Sequence, residues 1–291
     1  MSPEPIPFAG CLLTNPELLT SSRLVFAGLP DDSQSSFQRG TALAPARIRL
    51  AYDGNCYNSC SDSGVDLAGR VFDAGDVVPG ADWSSTAAAF REFVGSLIAR
   101  GQIPFLVGGD HAVSVPVIEA LAAFGAPVHV IQFDAHPDLY SEFEGSRTSH
   151  ACVAARLLEM EHVASVTQYG IRAMNVTQET MAEAYHGRLH IHFARDLEGH
   201  LPDPVHIPAG APVWFDVDVD AFDPAFAPGV SHPIPGGLSP RQVLNLLQSR
   251  TWNMVGMSVV EVNPTRDFND LTAVLAARLL HEGFAQARRA R

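Results

Sequence analysis

Short apolar runs and longer amphipathic stretches take turns along the chain, and their two periodicities assign the elements. Compact runs rich in β-branched and aromatic residues predict strands at 23–28, 71–74, 104–107, 128–133, 165–171, 189–192, 213–219 and 255–260. Helical spacing predicts helices at 44–51, 83–100, 113–124, 150–160, 176–185 and 239–248, the last with Ser239-Pro240 as its cap and first turn. A final helix, capped by Asn269 or Asp270, is expected to reach about Arg288. Strand alternating with helix implies a three-layer α/β/α fold, a parallel sheet of about eight strands covered on both faces. No shift of composition marks a linker, so residues 1–291 are read as one domain.

Polar residues interrupt the pattern where three strands end, at Gly108-Gly109-Asp110-His111, Asp134-Ala135-His136-Pro137-Asp138 and Asp216-Val217-Asp218-Val219-Asp220. Carboxylates and imidazoles recur there at every second residue, and extended geometry carried past the strand would set them on one side. In parallel sheets that end of the strands is where ligands bind. Carboxylates crowded at a buried site require cations or protons to neutralise them. The candidate ligands are His111, Asp134, His136, Asp138, Asp218 and Asp220, too many donors for one catalytic zinc. Two divalent ions fit better, and oxygen and imidazole donors without thiolate suit manganese, with iron, cobalt, nickel and zinc as alternatives in vitro. Such a pair shares a water and lowers its pKa, which points to hydrolysis at an electrophilic carbon or phosphorus. Asp216 lies deeper in its strand and is expected to support the ligands by hydrogen bonding, while Asp223 before Pro224 reads as a turn. The Pro- and Gly-rich segment 225–240 is expected to form a rigid loop over the site.

Composition narrows the substrate. Apolar residues at 46% and charged residues at 18% suit a globular enzyme. Nineteen basic against thirty-two acidic residues, a formal charge of −13, disfavour nucleic acid and anionic membranes and favour cationic ligands. Every basic residue is arginine, which excludes Schiff-base chemistry and a phosphate-loop lysine. A cationic amidine or guanidine is therefore a better match than a phosphate ester. Cys11, Cys56, Cys60 and Cys152 are too scattered for a disulfide framework and read as free thiols. Met1-Ser2-Pro3-Glu4-Pro5 carries no signal core, and no run approaches the roughly 18 apolar residues of a membrane span, so a cytoplasmic location is expected. The basic ending, Arg288, Arg289 and Arg291, reads as a helix terminus complementing the macrodipole.

The three acidic segments, with Ser149-His150, Asp218-Val219-Asp220-Ala221-Phe222-Asp223-Pro224, Glu261-Val262-Asn263-Pro264, Asp73-Ala74-Gly75-Asp76 and the stretch from Gly28 to Arg49, resemble the ureohydrolases, the arginase and agmatinase family. The likeness covers nearly the whole chain. It implies two Mn2+ per chain bridged by Asp134 and Asp218, with His111 and Asp138 completing one metal and His136 and Asp220 the other. A bridging hydroxide would attack a guanidinium carbon, giving urea and an amine. The resemblance further implies that His150 shuttles protons, that Glu261 holds guanidinium nitrogens, and that the protein is a homo-oligomer, a trimer or hexamer. In place of the asparagine and Ser/Thr-rich loop with which arginases grip an α-carboxylate, this chain has Asp138-Leu139-Tyr140-Ser141-Glu142-Phe143-Glu144. Agmatine, giving putrescine, is thus the leading expected substrate, with Glu142 or Glu144 either available to its distal ammonium or simply solvated loop acids. Tyr140 is a further candidate for the substrate tail. So is His232, which stands where agmatinases carry a Thr-Gly-Thr-like stretch. Arginine, guanidino acids, free guanidine and an N-formimino substrate are the alternatives within the family. Outside it stand a mononuclear zinc deacetylase-like enzyme, whose paired histidines are absent here, and a non-enzymatic relative, whose ligands would be lost.

Overall fold

The computed structural model describes residues 4–289. Its strands are β1 (Leu12–Leu13), β2 (Leu24–Leu29), β3 (Val71–Asp76), β4 (Ile103–Gly108), β5 (Val128–Phe133), β6 (Val163–Ile171), β7 (Leu189–Phe193), β8 (Pro212–Asp218) and β9 (Asn253–Val260). They form one parallel sheet in the order β1-β3-β2-β4-β9-β8-β5-β6-β7. Eight strands are those expected. The ninth, β1, pairs only Leu12 and Leu13 with Val71 and Phe72, and two residues are too few to show a periodicity.

The helices are α1 (Ala44–Ala51), α2 (Trp83–Ala99), α3 (Ser114–Ala120), α4 (Val153–Glu159), α5 (Val176–Ala184), α6 (Pro240–Gln248) and α7 (Leu271–Arg289). Successive strand residues feed two cores. Phe105, Val107, Phe215 and Val217 pack with residues of α1, α6 and α7. Leu106 and Trp214 pack on the other face with α2, α3 and α4. Full burial of such side chains contributes about 1.5–3 kcal/mol each, which fixes the register of every strand that carries a ligand. Reciprocal capping boxes start three helices, Asp82 with Ser85, Asn175 with Gln178, and Ser239 with Gln242.

Helix ends depart from expectation in two ways. The turns His111–Val113, Leu121–Phe124 and His150–Cys152 are 3-10, so α3 and α4 are shorter than the periodicity suggests. Asn269 and Asp270 do not cap α7, because both lie in the left-handed region (φ 49° and 60°). Asp267 does so instead, accepting the amides of Thr272 and Ala273, while Asp270 pairs with Arg47. Near the other end of α7, Arg288 and Arg289 donate to the carbonyls of Asp66 and Ser63. The four cysteines are free, as expected, with Cys11 and Cys152 buried. No helix of the described residues is long and apolar enough to cross a membrane. Met1 to Pro3 and Arg291, on which part of the terminal reading rests, lie outside the described residues.

The topology decides where a site can form. β4 and β5 follow one another in the chain, yet β9 and β8 lie between them in the sheet. Their connections must diverge to opposite sides, which opens a crevice at the carboxyl ends of β4, β9, β8 and β5. Every acidic segment leaves the sheet there.

Candidate metal centre

Each acidic segment is delivered by a turn rather than by continued strand. The Asp110, Asp134 and Asp218 carboxylates each accept the amide two residues on, from Ala112 (3.0 Å), His136 (2.6 Å) and Asp220 (2.8 Å). These Asx turns bend the chain as soon as it leaves the sheet. β5 ends at Phe133 and β8 at Asp218, so His136, Asp138 and Asp220 reach the centre from turns. The every-second-residue spacing thus has a different cause from strand alternation. At the exit of β4, a Cβ on Gly109 would lie 1.8 Å from the Asp31 carbonyl oxygen, so only glycine lets the His111 turn pass β2.

All six candidate ligands converge. His111 Nδ1 faces Asp138 Oδ2 at 3.0 Å, Asp134 Oδ2 at 3.3 Å and Asp218 Oδ2 at 3.4 Å. His136 Nδ1 lies 2.9 Å from Asp220 Oδ2 and 3.7 Å from Asp134 Oδ1. The donors form two groups able to hold a cation, His111 with Asp134 and Asp218, and His136 with Asp134 and Asp220, so Asp134 belongs to both. Asp216 supports the first group as expected. Its Oδ2 meets His111 Nε2 at 2.9 Å, and its Oδ1 accepts the hydroxyls of Ser114 and Ser258.

Within this cage His111 Nδ1 and Asp134 Oδ2 are buried without a hydrogen-bond partner. Burial, then Asp138 and Asp220, push Asp134 up to about 8, and burial with Asp220 and Asp134 lifts Asp218 well above the carboxylate range. Burial opposes charge on the histidines, yet Asp216 and its neighbours hold His111 well above the imidazole range, and Asp220 helps raise His136 to about 10. The cage therefore retains protons unless other cations replace them. Two divalent ions would replace them, with the orphaned nitrogen and oxygen available as ligand atoms.

A model of the arginase family matches residues 22–285. The chain belongs to the arginase family. It is 37% identical over 277 residues to the mitochondrial arginase of Medicago truncatula, covering 90% of this chain and 80% of that one. The solved structure of arginase from Medicago truncatula matches with a TM-score of 0.79 and 35% identity, over 92% of this chain and 87% of that one. The agmatinase of Bacillus cereus is 30% identical over 266 residues, 90% of each chain. As an arginase-family protein this chain is a metal-dependent hydrolase acting on guanidino compounds.

A cavity of about 210 Å3 opens on this arginase-family centre. On one wall His150 Nδ1 meets Glu261 Oε1 at 3.0 Å, while Nε2 meets the Ser36 hydroxyl at 2.8 Å and accepts the Ser36 amide at 3.2 Å. An amide can only donate, so in its neutral form the ring carries its proton on Nδ1, toward Glu261. Burial works against a charge on His150, but the Glu261 hydrogen bond and carboxylate raise it to about 9. Glu261 stays below its usual range, despite burial, because of His150. Its Oε1 also accepts the His111 amide, and its Oε2 is buried without a partner, a free acceptor beside the ligands. Asp138 (φ 49°) and Glu261 (φ 64°) hold left-handed conformations, which cost about 1–3 kcal/mol each and are retained at the site by its surroundings.

The outer wall is uncharged apart from histidine. His232 packs 5.3 Å from the His150 ring and 5.3 Å from Phe37, and burial followed by His150 lowers its pKa. The Tyr140 hydroxyl accepts from Asn175, and its ring lies 5.1 Å from Phe143. Glu142 and Glu144 are exposed and absent from the wall, in line with the reading of them as solvated loop acids rather than as partners of a distal ammonium. Three residues escaped the sequence reading. Ser36 and Gln178 reach the wall from segments without acidic motifs, so no local signal marks them. Arg172, a lone arginine just past β6, was visible in principle. Its guanidinium donates to the carbonyls of Gly170, Asp220, Ala221, Phe222 and Ile234. Its own amide binds the Ala135 carbonyl at 2.9 Å.

Proposed function

We propose that this protein holds two Mn2+ ions and hydrolyses a guanidino compound to urea and an amine. The observation that carries this reading is Asp134, shared by both donor groups as a bridging carboxylate must be. Asp218 is the second proposed bridge, with His111 and Asp138 on one ion and His136 and Asp220 on the other. When bound, the metal pair supplies a water of lowered pKa as nucleophile. The unpartnered Glu261 Oε2 receives guanidinium N–H groups and turns the carbon toward the centre. His150, held by Glu261, passes a proton to the nitrogen that leaves as the C–N bond breaks.

Sequence comparison and the cavity wall favour L-arginine as the first substrate. The agmatine expectation rests on the replaced arginase loop, and the outer wall offers hydroxyl, amide and aromatic groups with no glutamate for a distal ammonium. An amino-acid tail with one charge of each sign suits such a wall. The agmatinase relative supports agmatine as a second reading, with the ammonium against the Tyr140 and Phe143 rings. Urea release by the manganese-loaded protein from L-arginine, agmatine, guanidinobutyrate and guanidine decides between them, and no urea from any guanidino compound overturns the function. Metal analysis giving one ion per chain would favour the deacetylase-like reading. A single-domain homo-oligomer in the cytoplasm completes the proposal, to be tested by sedimentation and by localising the tagged full chain.

A further inference from the structure

We infer that the Ser36 hydroxyl is the relay through which His150 exchanges its proton with the departing amine. This rests on the guanidino-hydrolase reading above. Both ring nitrogens of His150 are engaged, Nδ1 by Glu261 at 3.0 Å and Nε2 by the Ser36 hydroxyl at 2.8 Å. The ring lines the cavity, but with both nitrogens engaged a proton leaves it only if the ring turns or through a partner. Turning is opposed because Glu261 is itself fixed by the His111 amide at 2.9 Å. Ser36 is also fixed relative to His150: the Gln34 carbonyl accepts the His150 amide at 3.3 Å, the Gln34 side chain accepts the Thr148 hydroxyl at 2.6 Å, and Asp110 accepts the Gln34 amide at 2.9 Å. Ser36 lines the same cavity as Asp218, Asp220 and Glu261, which places it beside both His150 and the candidate metal centre.

The chemistry requires a group that both accepts and donates, and a hydroxyl does both while the neighbouring amide only donates. The imidazolium gives its Nε2 proton to Ser36 Oγ, and the Ser36 hydroxyl proton passes to the amine nitrogen. That nitrogen keeps the electron pair of the breaking C–N bond. Serine is regenerated, His150 returns to the neutral form with its proton on Nδ1, and the amine leaves protonated. A proton taken up from solvent restores the imidazolium before the next turnover, and no other reactant is consumed. The Ser36 amide contact at 3.2 Å then restores the neutral tautomer.

A relay matters only where the leaving amine needs its proton. In manganese-loaded protein Ser36→Ala should lower kcat for an alkylguanidine by about 10- to 100-fold, within the range of general acid–base effects. KM and manganese content should be unchanged. An N-alkoxyguanidine substrate, which releases a weakly basic alkoxyamine, should slow much less, and Ser36→Thr should recover most of the loss. Equal slowing of both substrates, or unchanged turnover of the alkylguanidine, overturns the relay. If Ser36→Ala loses metal or fold, Ser36→Gly against Ser36→Thr makes the same comparison, and failure of Thr to exceed Gly overturns it as well. Absence of urea from either substrate with the unaltered protein would instead refute the guanidino-hydrolase reading.

Discussion

Single atoms set the behaviour of this centre. Asp134 Oδ2 and His111 Nδ1 have no use in the fold, since both are buried and unpartnered. Removing a shared carboxylate should therefore undo both metal positions at once. Asp134→Ala is expected to bind less than one manganese per chain tightly, with turnover lost, and two ions retained at wild-type affinity would refute the bridge. Asp216 belongs to neither candidate cation group, yet its bond to His111 Nε2 aims the ring. Asp216→Asn should weaken manganese binding about 10- to 100-fold, as loss of a ligand's hydrogen-bonding partner does elsewhere, measured by calorimetric titration. His150 stands outside both donor groups. His150→Asn should cut kcat by about 100-fold or more with metal content intact, and unaltered turnover would remove it from proton transfer.

Among the elements, the turns after β5, β6 and β8 are joined through Arg172. Its amide holds the Ala135 carbonyl, its guanidinium holds the carbonyls that follow Asp220, and the Ala135 amide in turn donates to Asp220 Oδ1 at 3.0 Å. These contacts lie on the side of His136 and Asp220, whereas His111 is supported by Asp216. Arg172→Met leaves several carbonyls without donors, each costing about 1–3 kcal/mol where buried. The variant should melt at lower temperature and lose the second equivalent of manganese before the first, and simultaneous loss of both in a titration would contradict a one-sided role. The elements themselves were largely legible. Eight strands, the cap at Ser239-Pro240 and the Asp223 turn follow from periodicity and local chemistry. The cap of α7 was not, because Asn269, Asp270 and Asp267 are all plausible caps and only backbone conformation separates them.

On the scale of the whole molecule, the metal-free protein stores protons that its unfolded chain would release. Asp134 is raised to about 8, and His150 and His136 to about 9 and 10. A raised carboxyl binds its proton more tightly in the folded state, and so does a raised imidazole, so both contribute stability that fades as pH climbs toward the folded value. The metal-free melting temperature should accordingly fall from about pH 5 to pH 9, the interval between ordinary carboxyl and these raised values. Manganese displaces the same protons, so its stabilising shift should be larger at pH 8.5 than at pH 6, by thermal melts at fixed metal concentration. A metal-free protein whose melting point rises steadily over that range would show that the cage is not protonated.

Sequence by itself determined the alternating strands and helices, the acids and imidazoles at strand ends, and through them the six converging residues, because these depend on short-range periodicity and residue chemistry. It could not show why the spacing of two works, since the Asx turns at Asp110, Asp134 and Asp218 are a matter of backbone geometry. Nor could it bring Ser36 to His150 or Arg172 to Asp220, pairs 114 and 48 residues apart. Tertiary structure alone decided those contacts, because the segments that follow β2, β5, β6 and β8 meet only at the carboxyl edge of the assembled parallel sheet.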